Sequence, residues 1–103
     1  MYGTIARLRP KPGSEPALMA LIQEWGRDRR PHVHGAIGGY LLRPEKLPGE
    51  AVLVAIFADR AAYQTNAEDP EQDRWYRRMR EHLDADPEWT DGELVFASNK
   101  VGG

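Results

Sequence analysis

The 103-residue sequence contains no cysteine. This absence excludes disulfide bonds, thiolate metal sites and cysteine nucleophiles, and it agrees with a reducing compartment. No apolar run approaches the roughly 20 residues that a membrane-spanning helix needs. The first residues also lack the basic region and apolar run of a secretion signal. We therefore expect a soluble, cytoplasmic protein.

The sequence also has little excess charge of either sign. It has 14 basic and 16 acidic residues and a formal net charge of −2, so we expect no binding to nucleic acid or to a membrane surface. Glycine-rich nucleotide-binding motifs, G-x-S-x-G and H-E-x-x-H are all missing. Nucleotide binding and the standard hydrolase and zinc-protease reactions therefore have no support.

Four segments have the pattern of β-strands. Residues 2–9 alternate as a half-buried strand does, and residues 35–43 and 51–57 flank a hairpin connection. Residues 51–57 are apolar on both faces, which predicts that both faces are excluded from water. The last strand is predicted over residues 93–98, where apolar residues again point to successive sides.

Two segments have the pattern of helices. In the first, apolar residues recur at helical spacing over 18–25, after the favourable cap residue Ser14. In the second, Asp59 caps a short helical turn. Asp69 then caps a new helix, predicted over about 70–83.

The order strand, helix, strand, strand, helix, strand is typical of the ferredoxin-like α+β fold. This βαββαβ order predicts one domain over residues 1–103, with an antiparallel sheet and both helices on one of its faces. The other face would then expose a large apolar patch. A second copy of the chain is the expected cover, so we predict a homodimer that forms a dimeric α+β barrel.

The layout resembles the antibiotic biosynthesis monooxygenase family of dimeric α+β barrels. The resemblance covers nearly the whole chain and is carried by residues 57–63, by 69–71 and by the pair Trp75 and Tyr76. Its motif is loose: a strand, an acidic cap, an Ala-Tyr pair, a broken helix and a late glycine, here Gly92. Such a resemblance implies the fold more strongly than the chemistry.

The resemblance implies a cofactor-independent monooxygenase that acts on a small phenolic or polycyclic aromatic substrate, with no metal, flavin or other cofactor. In such family members the substrate, held as its phenolate, itself passes an electron to O₂. The protein supplies a dry cavity, a donor that stabilises the anion and an aromatic wall. Two alternatives stay open: a non-catalytic dimer that binds a small ligand, and a monooxygenase that binds and degrades haem.

The chain departs from the family's oxygenases on its first strand. Those proteins carry an asparagine there, where this sequence offers Thr4 and Arg7. Its only asparagines are Asn66, in the helix break, and Asn99, past the last predicted strand. One expected polar group is therefore missing or replaced.

Three residues are predicted to be catalytic: His82, Trp75 and Asn66. Trp75 and His82 lie seven residues apart on one face of the last predicted helix, a spacing that core packing also produces. His82 could accept a phenol proton or ligate haem iron. Asn66 could donate a hydrogen bond to the substrate, although a turn residue also fits this position.

The predicted substrate-binding residues are Arg7, Tyr40, Tyr63, Tyr76 and Met79. Arg7 is expected to point into the barrel cavity, where it needs a carboxylate or an anionic ligand. Glu50 and Glu93, at neighbouring strand ends, are the candidate internal partners. Aromatic residues at helical spacing also pack in cores, so a packing role is the alternative for the helical members of this set.

His32 and His34 are two residues apart. In an extended segment this spacing places both imidazoles on one side, as a metal site would require. No third ligand is evident nearby in the sequence, so no metal site is predicted.

Overall fold

The computed structural model describes residues 1–98, so Asn99 and the end of the predicted domain lie outside the described residues. A π-helical turn and a 3₁₀ turn follow the first helix. The elements in chain order are β1 (Tyr2–Leu8), α1 (Glu15–Glu24), the π-helix (Trp25–Arg29), the 3₁₀ turn (Arg30–His32), β2 (Ala36–Leu42), β3 (Ala51–Phe57), α2 (Arg60–Ala67), α3 (Pro70–Glu81) and β4 (Glu88–Glu93).

The four strands form one antiparallel sheet in the order β2-β3-β1-β4. β1 lies in the centre and pairs with β3 along its whole length, from Tyr2 opposite Phe57 to Leu8 opposite Ala51. β2 pairs with β3 across one bulge, near Gly38. This arrangement confirms the ferredoxin-like α+β fold that the order of hydrophobic periods predicts.

The core lies between the helices and one face of the sheet. On β1, Thr4, Ala6 and Leu8 are buried, whereas Ile5 and Arg7 are exposed on the other face, as the alternation predicts. The buried apolar cluster comprises Ala6, Leu8, Leu18, Leu21, Ala51, Trp75, Met79 and Leu83.

Two aspartates begin the helices that follow β3. Asp59 Oδ1 accepts a hydrogen bond from the backbone N–H of Ala62 at 2.7 Å, and Asp69 Oδ1 accepts one from Glu71 at 2.8 Å. These side chains satisfy N–H groups that a helix leaves without partners in its first turn. Both caps are confirmed, and the second separates α2 from α3.

Gly35 allows β2 to begin directly against α2. Its φ is +80°, and a Cβ atom built on it would lie 2.5 Å from the Cβ of Ala62. Its carbonyl accepts a hydrogen bond from the N–H of Ala58 at 2.7 Å. Any other residue would be strained here and would also push α2 away from the sheet.

The prediction of the last strand was wrong. The strand is Glu88–Glu93 rather than residues 93–98, and it pairs with β1 from Tyr2 opposite Glu93 to Arg7 opposite Glu88. All six of its residues are exposed. β4 is an edge strand held by backbone pairing on one side, so its side chains need not be apolar. The apolar run that suggested a strand follows it, with Val95 91% and Phe96 81% exposed.

The sheet face opposite the helices is open within residues 1–98. It carries Ile5, Val54 and Tyr40, which lie side by side on three neighbouring strands, and Leu42 farther along β2. Val52, Val54 and Ile56 of β3 share this face and are half-buried. The exclusion of water from both faces of β3 depends on a second copy of the chain and stays a prediction. In this part of the chain, no helix is both long enough and apolar enough to cross a membrane.

Candidate functional site

A cavity of about 520 Å³ lies between the helices and the sheet. Small-molecule sites in proteins typically occupy roughly 300–1,000 Å³, so this volume suits an aromatic ligand of several rings. Most of the lining is apolar. It includes all three tryptophans of the chain, Trp25, Trp75 and Trp89.

The aromatic side chains of the lining are held in place by one another and by the backbone. The rings of Trp25 and Trp75 lie 6.2 Å apart in a tilted arrangement, and Trp75 Nε1 donates to the carbonyl of Leu21 at 3.2 Å. On the other side, the ring of Tyr63 packs against Phe57 at 5.4 Å. These contacts give the cavity rigid aromatic walls.

Two carboxamide groups line the cavity with fixed orientations. Asn66 is 7% exposed, and its Oδ1 accepts a hydrogen bond from Arg29 Nη2 at 3.1 Å. Gln72 Oε1 accepts from Trp25 Nε1 at 2.8 Å and from Arg29 Nε at 3.1 Å. Arginine and the indole N–H only donate, so the atoms they contact are the amide oxygens. The NH₂ groups of Asn66 and Gln72 therefore point away from these partners as available donors.

A carboxylate also holds the Arg29 guanidinium in place. Its Nη2 lies 3.2 Å from Asp69 Oδ2, and Asp69 also caps α3. The hydrogen bond from the Glu71 N–H lowers the pKa of Asp69 below its usual value, and the Arg29 guanidinium lowers it further. This ion pair keeps the guanidinium where it can orient both carboxamides.

A second polar group lies at the β4 side of the cavity. The hydroxyl groups of Thr4 and Tyr63, both on the lining, donate to Asp91 Oδ1 at 2.6 Å and 3.1 Å. Burial raises the pKa of Tyr63, and the charge of Asp91 and the hydrogen bond to it raise it further. Tyr63 is therefore a neutral donor near pH 7 and cannot act as a tyrosinate base.

The structure brings five of the predicted site residues to the cavity: Trp75, Asn66, Tyr63, Tyr76 and Tyr40. Tyr40 borders the cavity from β2, the edge strand of the sheet. It is 67% exposed and pairs with Val54, so its ring lies on the open face of the sheet. The other four are positioned by α2 and α3.

Arg7 does not reach the cavity. The expectation that it points inward was wrong, because Thr4, Ala6 and Leu8 occupy the helix-facing side of β1 and leave Arg7 on the open face. Arg7 Nη2 lies 2.9 Å from Glu50 Oε1, the carboxylate expected as one internal partner. Its charge is thus paired outside the site.

His82 and Met79 also lie outside the lining. Met79 is fully buried in the core, where it packs with Leu8 and Leu18. His82 follows the last residue of α3, and its carbonyl accepts a hydrogen bond from the N–H of Lys11 at 2.8 Å. Because α3 ends one residue earlier, the imidazole does not continue the stripe that Trp75 begins. The structure therefore does not bring His82 and Trp75 together in one site.

His32 and His34 line a separate depression of about 450 Å³, together with Asp59 and Asp69. Both aspartates are helix caps. Across residues 1–98, no group of three or more histidine, cysteine, aspartate or glutamate side chains is placed to hold a metal ion.

Sequence reasoning missed Gln72 on the cavity lining, and also Arg29 and Asp91, which form hydrogen bonds with lining residues. The π-helix turns the side chain of Arg29 toward α3, and no residue pattern in the sequence marks that local change of period. For Gln72, the sequence indicated only a capping interaction at the start of the last helix. Asp91 lies on the strand whose position was predicted wrongly.

Comparison with known proteins adds a family and a set of structural relatives. The antibiotic biosynthesis monooxygenase family model matches residues 1–78. No curated protein sequence matches the chain.

Many solved structures share the fold. Rv0793 from Mycobacterium tuberculosis has a TM-score of 0.80 and 21% identity, covering 95% of this chain and 98% of its own. The NE2512 protein of unknown function from Nitrosomonas europaea has a TM-score of 0.78 and 22% identity, covering 98% and 95%. A variant of SnoaB, a cofactor-independent oxygenase from Streptomyces nogalater, has a TM-score of 0.77 and 15% identity, covering 93% and 94%. At these identities the likeness shows the fold alone.

Proposed function

The chain belongs to the antibiotic biosynthesis monooxygenase family, and on that premise we propose that it is a cofactor-independent oxygenase of a small phenolic or polycyclic aromatic substrate. One observation carries the proposal. The cavity combines rigid aromatic walls with two carboxamide donors, Asn66 and Gln72, whose orientation Arg29 fixes. An enzyme that relies on its substrate as the electron donor needs this combination.

In the proposed reaction, the substrate ring lies against Trp25 and Trp75, and its hydroxyl is ionised. The phenolate oxygen accepts hydrogen bonds from the NH₂ groups of Asn66 and Gln72, and the phenol proton is released to water. The anion passes one electron to O₂, and the two radicals combine at a ring carbon to give a hydroperoxide. Loss of water leaves a carbonyl. For an anthrone, the CH₂ group and O₂ become C=O and H₂O, so the atoms balance.

The aromatic walls and donors have separate tasks in this scheme. The tryptophans exclude water and hold the ring, which strengthens each hydrogen bond to the phenolate. The carboxamides stabilise negative charge without taking a proton. Tyr63 stays protonated because its pKa is raised, so it can donate to substrate oxygen only if it leaves Asp91.

We also propose that the protein works as a homodimer through the open sheet face. Ile5 and Leu42 are 47% and 59% exposed there, beside the half-buried Val52, Val54 and Ile56 of β3. A contiguous apolar face of this kind is costly to leave in water. A second copy offers the same face in reverse, as a twofold interface requires.

The proposed activity is tested with an oxygen electrode, using anthrone and 1,4-naphthohydroquinone as substrates in buffer containing EDTA. Wild type should consume O₂ above the uncatalysed rate. Asn66→Ala should lower kcat/KM about 10²-fold, the effect expected for loss of one oriented donor to a developing anion. The matched control is Gln64→Ala, an exposed position on the same helix. Circular dichroism establishes that each variant is folded.

The alternative outcomes separate the remaining hypotheses. Saturable quenching of tryptophan fluorescence without O₂ consumption would favour a ligand-binding protein without turnover. Equal rates for Asn66→Ala, Gln64→Ala and wild type would contradict the role given to the carboxamide. No rate above background with either substrate, together with no binding, would overturn the proposal.

A further inference from the structure

Arg30 is a half-buried cation on the cavity lining whose side chain has no partner among residues 1–98. The two arginines before it are both paired. Arg27 Nε lies 2.8 Å from Asp28, and Arg29 Nη2 lies 3.2 Å from Asp69. Across the described range, no carboxylate oxygen lies within ion-pairing distance of Arg30. A guanidinium beside an apolar cavity is thus left with unused donors.

The position of Arg30 is fixed by the π-helix. Its backbone N–H donates to the carbonyl of Trp25, the bond that closes that turn. The same turn holds Trp25, whose ring forms part of the aromatic wall, and Arg29, which orients the carboxamides. Arg30 is therefore placed by the element that also shapes the wall.

The lining groups that already have partners do not compete for Arg30. Asp73 is the one carboxylate of the lining among the described residues, and Arg77 lies 2.9 Å from its Oδ2. Asn66 and Gln72 present N–H donors, and the hydroxyl hydrogens of Thr4 and Tyr63 are directed to Asp91. A ligand that satisfies this cavity must therefore bring acceptors, and near Arg30 it must bring negative charge.

We infer that the cavity selects an anionic ligand: an aromatic ring system that carries a carboxylate, bound by Arg30. The planar guanidinium matches the two oxygens of a carboxylate, and the apolar surroundings strengthen the pair. The ring then lies against Trp25 and Trp75. A phenol oxygen elsewhere on the ring is left to Asn66 and Gln72. The inference deepens the proposed function and rests on the same cavity, but it does not depend on turnover.

The test compares two probes that differ in charge and hardly in shape, 2-naphthoate and 2-naphthamide. All three tryptophans line the cavity, so intrinsic fluorescence reports binding directly. Wild type should bind 2-naphthoate about 10- to 100-fold more tightly than 2-naphthamide, the range expected for hydrogen bonds to a charged group. In Arg30→Gln this preference should disappear, while the affinity for 2-naphthamide stays within twofold. In Arg27→Gln, which changes an exposed and already paired arginine, the preference should persist.

Equal affinity of the two probes for wild type would overturn the inference, and so would a preference that survives Arg30→Gln. Thermal unfolding checks that Arg30→Gln is folded, and Arg30→Lys should recover part of the preference if charge is the cause. Failure of the oxygenase proposal is distinguishable. If wild type prefers 2-naphthoate but consumes no O₂, only the proposed reaction is contradicted. If wild type consumes O₂ with equal kcat/KM for neutral and carboxylated hydroquinones, only the inferred preference for an anionic ligand is contradicted.

Discussion

Arg29 donates a hydrogen bond of 3.1 Å from its Nη2 to the Oδ1 of the buried Asn66. The bond joins the π-helix to α2, and a second bond from the same guanidinium reaches Gln72 on α3. One side chain therefore connects three of the helical segments that border the cavity. It also determines which end of each carboxamide is available to a ligand.

Replacement of Arg29 should affect stability and ligand binding together. In Arg29→Met the oxygen of Asn66 is left buried without its donor, which costs about 1–3 kcal/mol. Urea unfolding should show this loss. The affinity for 2-naphthamide should fall because Asn66 is no longer oriented by Arg29 and Gln72 keeps only its bond from Trp25. Arg27→Met is the matched control, since among residues 1–98 Arg27 pairs only with its exposed neighbour Asp28. Unchanged stability in Arg29→Met would contradict the importance of the bond.

His82→Ala should leave O₂ consumption unchanged. The imidazole lies beyond the end of α3 and outside the cavity lining. Addition of haemin should give the same absorption spectrum for His82→Ala as for wild type, because we assign no ligand role to this residue. A Soret band that appears with wild type and is lost in the variant would restore the haem hypothesis.

Ile5→Glu should convert the proposed dimer into a monomer. Ile5 lies at the centre of the open face, on the central strand, and two buried glutamates across a twofold interface would repel each other. Light scattering after size exclusion measures the mass in solution. Lys46→Glu, in the exposed β2–β3 connection, makes an even larger charge change away from this face and should stay dimeric. A monomeric wild type at micromolar concentration would contradict the interface.

The charge of Asp69, which accepts a hydrogen bond from the Glu71 N–H and pairs with Arg29, should give a stability difference that depends on pH. The pKa of Asp69 is depressed from 3.8 in the folded chain, so its stabilising effect is present above 3.8 and is lost as the pH falls through the folded value. Asp69→Asn retains a helix-capping side chain but removes the charge. Urea unfolding should therefore show a less stable variant at pH 7 and a smaller difference between the two proteins as the pH falls below 3.8. A difference that is constant with pH would exclude the charge of Asp69 as its cause.

Most of the fold could be predicted from the sequence because its buried elements have clear periods. Residues 51–57 form β3 as predicted, and Asp59 and Asp69 cap helices where the sequence indicates. The last strand was misplaced because hydrophobicity marks buried strands, whereas β4 is exposed along its whole length. The single domain over 1–103 stays a prediction.

The candidate site could be predicted only in part. Trp75 and Tyr76 lie at the cavity because helical period places them on an inward face. Asn66 also lies there, but as a buried residue of α2 rather than in the helix break that the sequence indicated. The alternation of β1 is confirmed, but Arg7 lies on the open face and not on the cavity side where it was predicted. Arg30 and its neighbours depend on the π-helix, whose wider turn has no signature in residue type.

The polarity of β4 has a consequence for how chains meet. Its six residues include three acids, Glu88, Asp91 and Glu93, at the free edge of the sheet. Two such edges approaching each other would bring carboxylates together, and that repulsion discourages strand-by-strand growth into fibres. The exposed acids are the reason why hydrophobicity does not mark this strand in the sequence. They also oppose aggregation of chains through this edge.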